Sequence, residues 1–329
     1  MCFGDGVEER RVRSMERVIQ ELFDTVGELI PVLDGSWLSQ LVHWRKLRRL
    51  MGFLTRQTEL YLPLIEARRS QHGSRLCGGV ASPYVDSLLA LRIPSDDDAG
   101  GRALRDDELI SLVSEFLGSG SGSLVACVEW TLAHLIGTPE VQSKLRREID
   151  GHTIDGVLSA KRLRTGMPYM HAVVLESLRM QPPAPHVMRG VHGDGAVAAV
   201  GGSPTAVSAD GLRVQFVLSD IGRDRKAWTD PDEFRPERFL GGGEAEGVGP
   251  YPGPKEIRMM PFGTAQRHCP GTSFAMLQIK CFLAMLVREF EWADCGAGGV
   301  DMTERDGFFK VMKTPLSARL TRRPTQAAL

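Results

Sequence analysis

The segment Pro261-Phe262-Gly263-Thr264-Ala265-Gln266-Arg267-His268-Cys269-Pro270-Gly271 sets one cysteine at the mouth of a long apolar run, with an arginine two residues before it. Cys269 reads as a helix N-cap and Pro270 as the first helical residue, where a missing N–H costs nothing. From Thr272 to Phe290 the run is apolar on nearly every side (Phe274, Met276, Leu277, Ile279, Phe282, Leu283, Met285, Leu286, Val287), which predicts a buried helix. The N-terminus of such a helix offers free N–H groups and a partial positive charge, surroundings that suit an anionic sulfur. Gly263 and Gly271 let the loop approach a flat ligand closely, and Arg267 has the reach for an anionic group at that ligand's edge. On the cysteine alone a second reading stays open, that of a small buried hydrophobe.

Glu176 and Arg179 stand at i and i+3, on one face of a helix. The stretch from Tyr169 to Leu178 is otherwise apolar, so that face is predicted to be buried, and a buried carboxylate needs paired donors such as a guanidinium fork. The alternative is an exposed pair contributing only about 0.2–0.5 kcal/mol.

Phe262, Gly263, Arg267, Cys269 and Gly271 together resemble the haem-binding loop of the cytochrome P-450 haem-thiolate monooxygenases. Glu176-Ser177-Leu178-Arg179 resembles the Glu-x-x-Arg of that family's K helix, and Pro236-Glu237-Arg238-Phe239 a third signature, all in the family's order. The wording from Trp228 to Phe239 is similar to plant microsomal members. The resemblance implies a mainly α fold with small β-sheets (α+β). It implies haem b (iron protoporphyrin IX), with Cys269 as the axial ligand to the iron. Arg267 and His186 would face haem propionates, His186 being otherwise a loop histidine near a proline pair. A Glu176–Arg179–Arg238 cluster would brace the loop from behind. The implied reaction inserts one atom of dioxygen into a small apolar substrate, with electrons from NADPH through a cytochrome reductase. The implied location is the cytosolic face of the endoplasmic reticulum membrane.

The 329 residues, 42% hydrophobic and 25% charged, suffice for a large core. A formal charge of −1 gives no sign of nucleic-acid binding. The six cysteines lack metal-type pairing and fit a reduced compartment. No apolar run of membrane-spanning length is read, and Met1 to Arg13 is too polar for a secretory signal. The chain, residues 1–329, reads as a single partial catalytic domain starting near the end of the family's E helix. It would then lack the anchor, the early helices with the C helix, and the first strands, and would be free to be soluble.

Residues 8–32 and 43–69 carry helical periodicity. The second begins His43-Trp44-Arg45-Lys46-Leu47-Arg48-Arg49, a make-up suited to a membrane surface, although such runs are more often a solvated face. Residues 70–82 and 94–103 read as loops, and Asp106 to Gly137 as one long helix. Thr138 then reads as an N-cap with Pro139 at the first helical position. Residues 186–218 read as short strands and 240–254 as a Gly/Pro loop. Within the long helix, Gly118 to Ser123 reads either as a Gly/Ser linker or, by resemblance, as the locally distorted oxygen groove of the family's I helix. There Gly120 and Ser123 would line the groove, with Ser123 standing for the family's threonine and Gly122 for its acid. Ala265 takes the place of a loop glycine, costing on the order of 1 kcal/mol if its φ is positive. Besides the monooxygenase, two readings stay open. One is a truncated relative that binds haem poorly or wastes oxygen; the other is a helical interaction protein without catalysis.

Overall fold

Interleaved apolar and polar residues at helical spacing cover most of the chain, and the computed structural model is accordingly mostly helical. It describes residues 2–4, 6–29, 41–72, 82–95, 98–154, 156–190, 213–253, 257–296, 298–305 and 307–323. The helices are α1 (Glu9–Leu29), α2 (Trp44–His72), α3 (Tyr84–Ala90), α4 (Asp106–Gly137), α5 (Pro139–His152), α6 (Ala160–Thr165), α7 (Pro168–Met180), α8 (Leu218–Gly222) and α9 (Thr272–Glu289). The strands are β1 (Arg92–Ser95), β2 (Asp98–Ala103), β3 (His186–Gly190), β4 (Arg213–Val217), β5 (Phe290–Asp294), β6 (Glu304–Arg305), β7 (Val311–Met312) and β8 (Ala318–Arg322). They pair as two-stranded antiparallel sheets, β1 with β2, β3 with β4, β5 with β8 and β6 with β7. The fold is α+β. The chain divides into two compact units, Met1–Gly122 and Ser123–Leu329, the boundary falling inside α4.

In the first unit Phe3, Tyr61, Ile65, Val85, Leu109 and Val113 form a buried core. Arg68 clamps Asp86 through two N–H groups, joining α2 to α3. Of the stretch 94–103, expected to be a loop, residues 96–97 lie outside the described residues, and Pro94, Ser95 and Asp98–Ala103 instead lie in the paired strands β1 and β2, in which Arg92 faces Ala103. Gly101 makes this possible: its φ is 72°, and a β-carbon there would press into the Ile93 carbonyl.

In the second unit α5, α7 and α9 pack around Leu145, Ile149, Met170, Val173, Val174, Leu283 and Val287. Gln142 clasps α5 to β5: its Nε2 donates to the Leu135 and Trp292 carbonyls at 3.1 and 2.9 Å, and its Oε1 accepts from Trp292 N at 3.0 Å. The strands expected in 186–218 are β3 and β4, with 191–212 lying outside the described residues. The parts of other expectations that fall on residues 30–32, 73–81 and 254 lie outside them as well.

Two expectations about helices are corrected. The apolar run after Cys269 is not buried on all sides: Met276, Ile279, Leu283 and Val287 are buried, while Phe274, Phe282 and Met285 are exposed. And α4 is, by length and composition, the one helix among the described residues that could cross a membrane, where none was expected. Its C-terminal half serves as core instead. Trp130 is fully buried with its Nε1 donating to the Lys310 carbonyl at 3.1 Å, and Glu129 accepts from Leu316 N.

Candidate cofactor site

Cys269 sits on a loop that its own backbone shapes. Gly263 N donates to the Met260 carbonyl at 2.9 Å, and Cys269 N donates back to the Phe262 carbonyl at 2.9 Å, closing the loop into a narrow turn. That bond holds the cysteine in the turn, so it is not the helix cap. Gly271 is the cap: its carbonyl accepts the first helical bond from Ala275 N at 2.8 Å, and Pro270 lies outside α9. Thr272 Oγ1 donates to the Cys269 carbonyl at 2.9 Å, fixing the junction. Gly263 adopts φ 74°, which glycine allows without strain. Phe262 and Cys269 are half-buried, Gly263 is buried, and Arg267 is exposed.

In the core of the second unit Glu176, Arg179 and Arg238 come together, each 2% exposed or less. Arg179 grips Glu176 with Nε and Nη2 at 2.7 and 2.8 Å. Arg238 Nε adds a bond of 3.2 Å to Glu176 Oε1, and Arg235 N one of 2.9 Å. The remaining Arg179 donors reach the carbonyls of Gly222, Pro231 and Glu233. Those of Arg238 reach the carbonyls of Thr229, Asp230 and Glu233 and the Glu244 carboxylate. Burial tends to raise the pKa of Glu244, but hydrogen bonds from Arg238 and Thr229 outweigh it and hold the carboxyl at about 2.

The other expected site residues lie as follows. His186 opens β3 opposite Val217 and is exposed. Gly120 and Ser123 lie on α4, which is helical without a break from Asp106 to Gly137, so the linker alternative is corrected. Ser119 and Ser121 instead fold their hydroxyls onto the carbonyls of Glu115 and Leu117. A side chain at Gly120 would meet nothing within 4 Å.

Several contributors escaped the sequence reading. Arg189 Nη2 donates to the Thr264 carbonyl at 2.9 Å, tying β3 to the cysteine loop. Tyr251 stacks on His268, ring centroids 4.7 Å apart. Gly222 lies so close to the Arg179 carbonyl that a β-carbon would overlap it. Glu244 sat in a Gly/Pro-rich stretch that showed only a loop. The one available signal was Arg189, a basic residue on the strand that opens with His186.

The donor set fits an iron held by a macrocycle. Among the described residues no three His, Cys, Asp or Glu side chains converge as metal ligands. The loop offers one sulfur, one of the single axial donors that a porphyrin-held iron takes from proteins. A β-carbon at Gly271 would stand 3.9 Å from Sγ, in ordinary van der Waals contact, so Gly271 lies directly beside the sulfur.

The sequence matches the profile described as Cytochrome P450 over residues 1–322. It is 31% identical over 328 residues to Cytochrome P450 89A9 of Arabidopsis thaliana, across 97% of this chain and 62% of that protein. It is 28% identical over 333 residues to Cytochrome P450 78A6 of the same plant, across 98% and 58%. It is 32% identical over 254 residues to 2-hydroxyisoflavanone synthase of Glycine max, across 73% and 46%. The chain belongs to the cytochrome P450 family. It spans about three fifths of the length of the first two of these relatives.

Proposed function

We propose that residues 1–329 form part of one haem-thiolate monooxygenase domain, which inserts one atom of dioxygen into a small apolar organic substrate. Electrons would come from NADPH through a cytochrome reductase at the cytosolic face of the endoplasmic reticulum. The observation that carries this reading is the half-buried Cys269 sulfur on a turn closed by the Cys269–Phe262 backbone bond. When bound, haem b supplies oxygen activation at an iron whose electron density a thiolate raises.

The chain's own residues do the rest. Cys269 would hold the iron through Sγ, and Phe262, Gly263 and Gly271 shape the turn that presents it. Arg267 and His186 supply cationic and hydrogen-bonding partners for propionates. Ser123 Oγ both donates and accepts, so it can hold a proton and release it. Gly120 keeps its side of α4 bare. Gly122 supplies no carboxylate to recharge Ser123, which predicts poor coupling of electrons to product. The Glu176–Arg179–Arg238 cluster keeps the segment leading to the cysteine turn in place.

The test is a carbon monoxide spectrum of the reduced, haem-reconstituted chain. A thiolate-type Soret shift, lost in Cys269→Ala, is the expected result. The absence of that shift in the wild-type chain under all reconstitution conditions defeats the assignment. Gly122→Asp is expected to raise product formed per NADPH consumed, and an unchanged ratio argues against the missing acid as the limit.

A further inference from the structure

A cleft of about 500 Å³ opens in the second unit where the C-terminal ends of α4 and α7 meet. No residue of the 261–271 turn or of α9 lines it. Met180, Phe234, Val300 and Met302 give it apolar walls. Phe234 is fixed by stacking on His134, with centroids 4.3 Å apart and planes 6° apart. His134 is buried, and its Nε2 meets Gln181 Oε1 at 2.6 Å. An amide oxygen only accepts, so Nε2 carries the proton and the ring stands as a fixed aromatic wall.

Arg223 is the cation of this lining. Its Nε–H is buried without a hydrogen-bond partner. Its Nη2 stands 3.9 Å from Glu304, beyond hydrogen-bond distance. Glu304 is already taken by Lys310, and Asp232, the other acid of the lining, by Arg225. Arg223 thus keeps a loose ion pair with Glu304 and is one-third exposed, with only its Nε–H unmet, and a buried donor of this kind calls for an acceptor oxygen.

We infer that this cleft binds a small aromatic carboxylate, its oxygens accepting from Arg223 and its ring lying against Phe234, Met180 and Met302. An Arg fork matches a carboxylate in charge and in shape, and the walls match a ring. The site is separate from the cysteine turn and stands whether or not the chain turns over substrate.

Isothermal titration of the full chain with benzoate tests it. Saturable binding in the millimolar range is expected. Benzyl alcohol, which keeps the ring without the charge, is expected to bind at least about tenfold more weakly. Arg223→Met should weaken benzoate by a similar factor, and Arg223→Lys by less, because it keeps the charge but not the fork. Phe234→Leu, which leaves Arg223 intact, should weaken benzoate and benzyl alcohol alike, and serves if the arginine variants fail to fold by circular dichroism. Imidazole at saturating concentration should leave benzoate binding unchanged. Absence of saturable binding, equal affinity for benzyl alcohol, indifference to both the Arg223 and Phe234 substitutions, or displacement by imidazole would each overturn the inference.

Discussion

Ala265 adopts φ 53°, in the left-handed region where a β-carbon is strained. The sequence reading made its cost conditional on a positive φ, and the backbone meets that condition. Glycine there relieves about 1–2 kcal/mol of strain but returns about 0.5–1 kcal/mol to the unfolded chain as freedom. Ala265→Gly is therefore expected to stabilise slightly, as a raised urea midpoint. At Glu176 the sign is reversed and the size larger. Its carboxylate takes four donors, from Arg179, Arg235 and Arg238. Glu176→Gln leaves the buried Arg179 guanidinium without its counter-charge, while Arg238 keeps Glu244, a loss of about 3–5 kcal/mol, to be read in the same urea titration. The Glu176–Arg179 pair was legible because both partners share one helix face. Arg238 came from a family motif, whereas Arg235, Glu244 and Gly222 arrive by folding of the 222–244 segment, which no local periodicity encodes.

α4 keeps helical backbone through Gly118, Gly120 and Gly122. Gly120 is exposed, and a β-carbon there meets nothing within 4 Å. Gly120→Ala should therefore add about 1 kcal/mol of helix stability, detectable as slower amide exchange along α4. Further along the same helix, burial pushes the His134 ring from its ordinary 6.5 down to about 4. The folded state then binds fewer protons than the unfolded one between those values. The stability this contributes is whole above pH 6.5 and is lost as pH falls toward 4. His134→Gln should lower the plateau, because the Phe234 stack goes, yet flatten the decline across that window in a pH series of melting temperatures. The bounds of α4 were readable because an acidic start and a glycine end bracket an apolar run. Burial of α9 on one face only was not, since an apolar pattern gives the period but not what lies opposite each face.

At the scale of the whole molecule, mostly helical architecture and family membership followed from motif order, while the division at Gly122 fell inside a helix and left no linker to see. The first unit carries the surface that sequence reading weighed as membrane-facing or merely solvated. Leu41, Val42, Trp44, Met51 and Leu54 are exposed there among Arg45, Lys46 and Arg48, and no acid occurs from Leu41 to Thr58. Apolar anchors amid cations suit an anionic bilayer. Co-sedimentation with phosphatidylserine-containing vesicles is expected to be salt-sensitive and to fall in Trp44→Ala and in Arg45→Glu. Equal binding to uncharged vesicles would instead indicate simple hydrophobic adsorption.

Arg179 has another consequence. All five of its N–H protons have acceptors: two on Glu176 and one each on Gly222, Pro231 and Glu233. No proton is left for solvent to collect, and the terminal C–N bonds have no freedom to turn. Its guanidinium should thus give separate, slowly exchanging proton resonances, a spectroscopic clock for each opening of the 222–233 segment over the core.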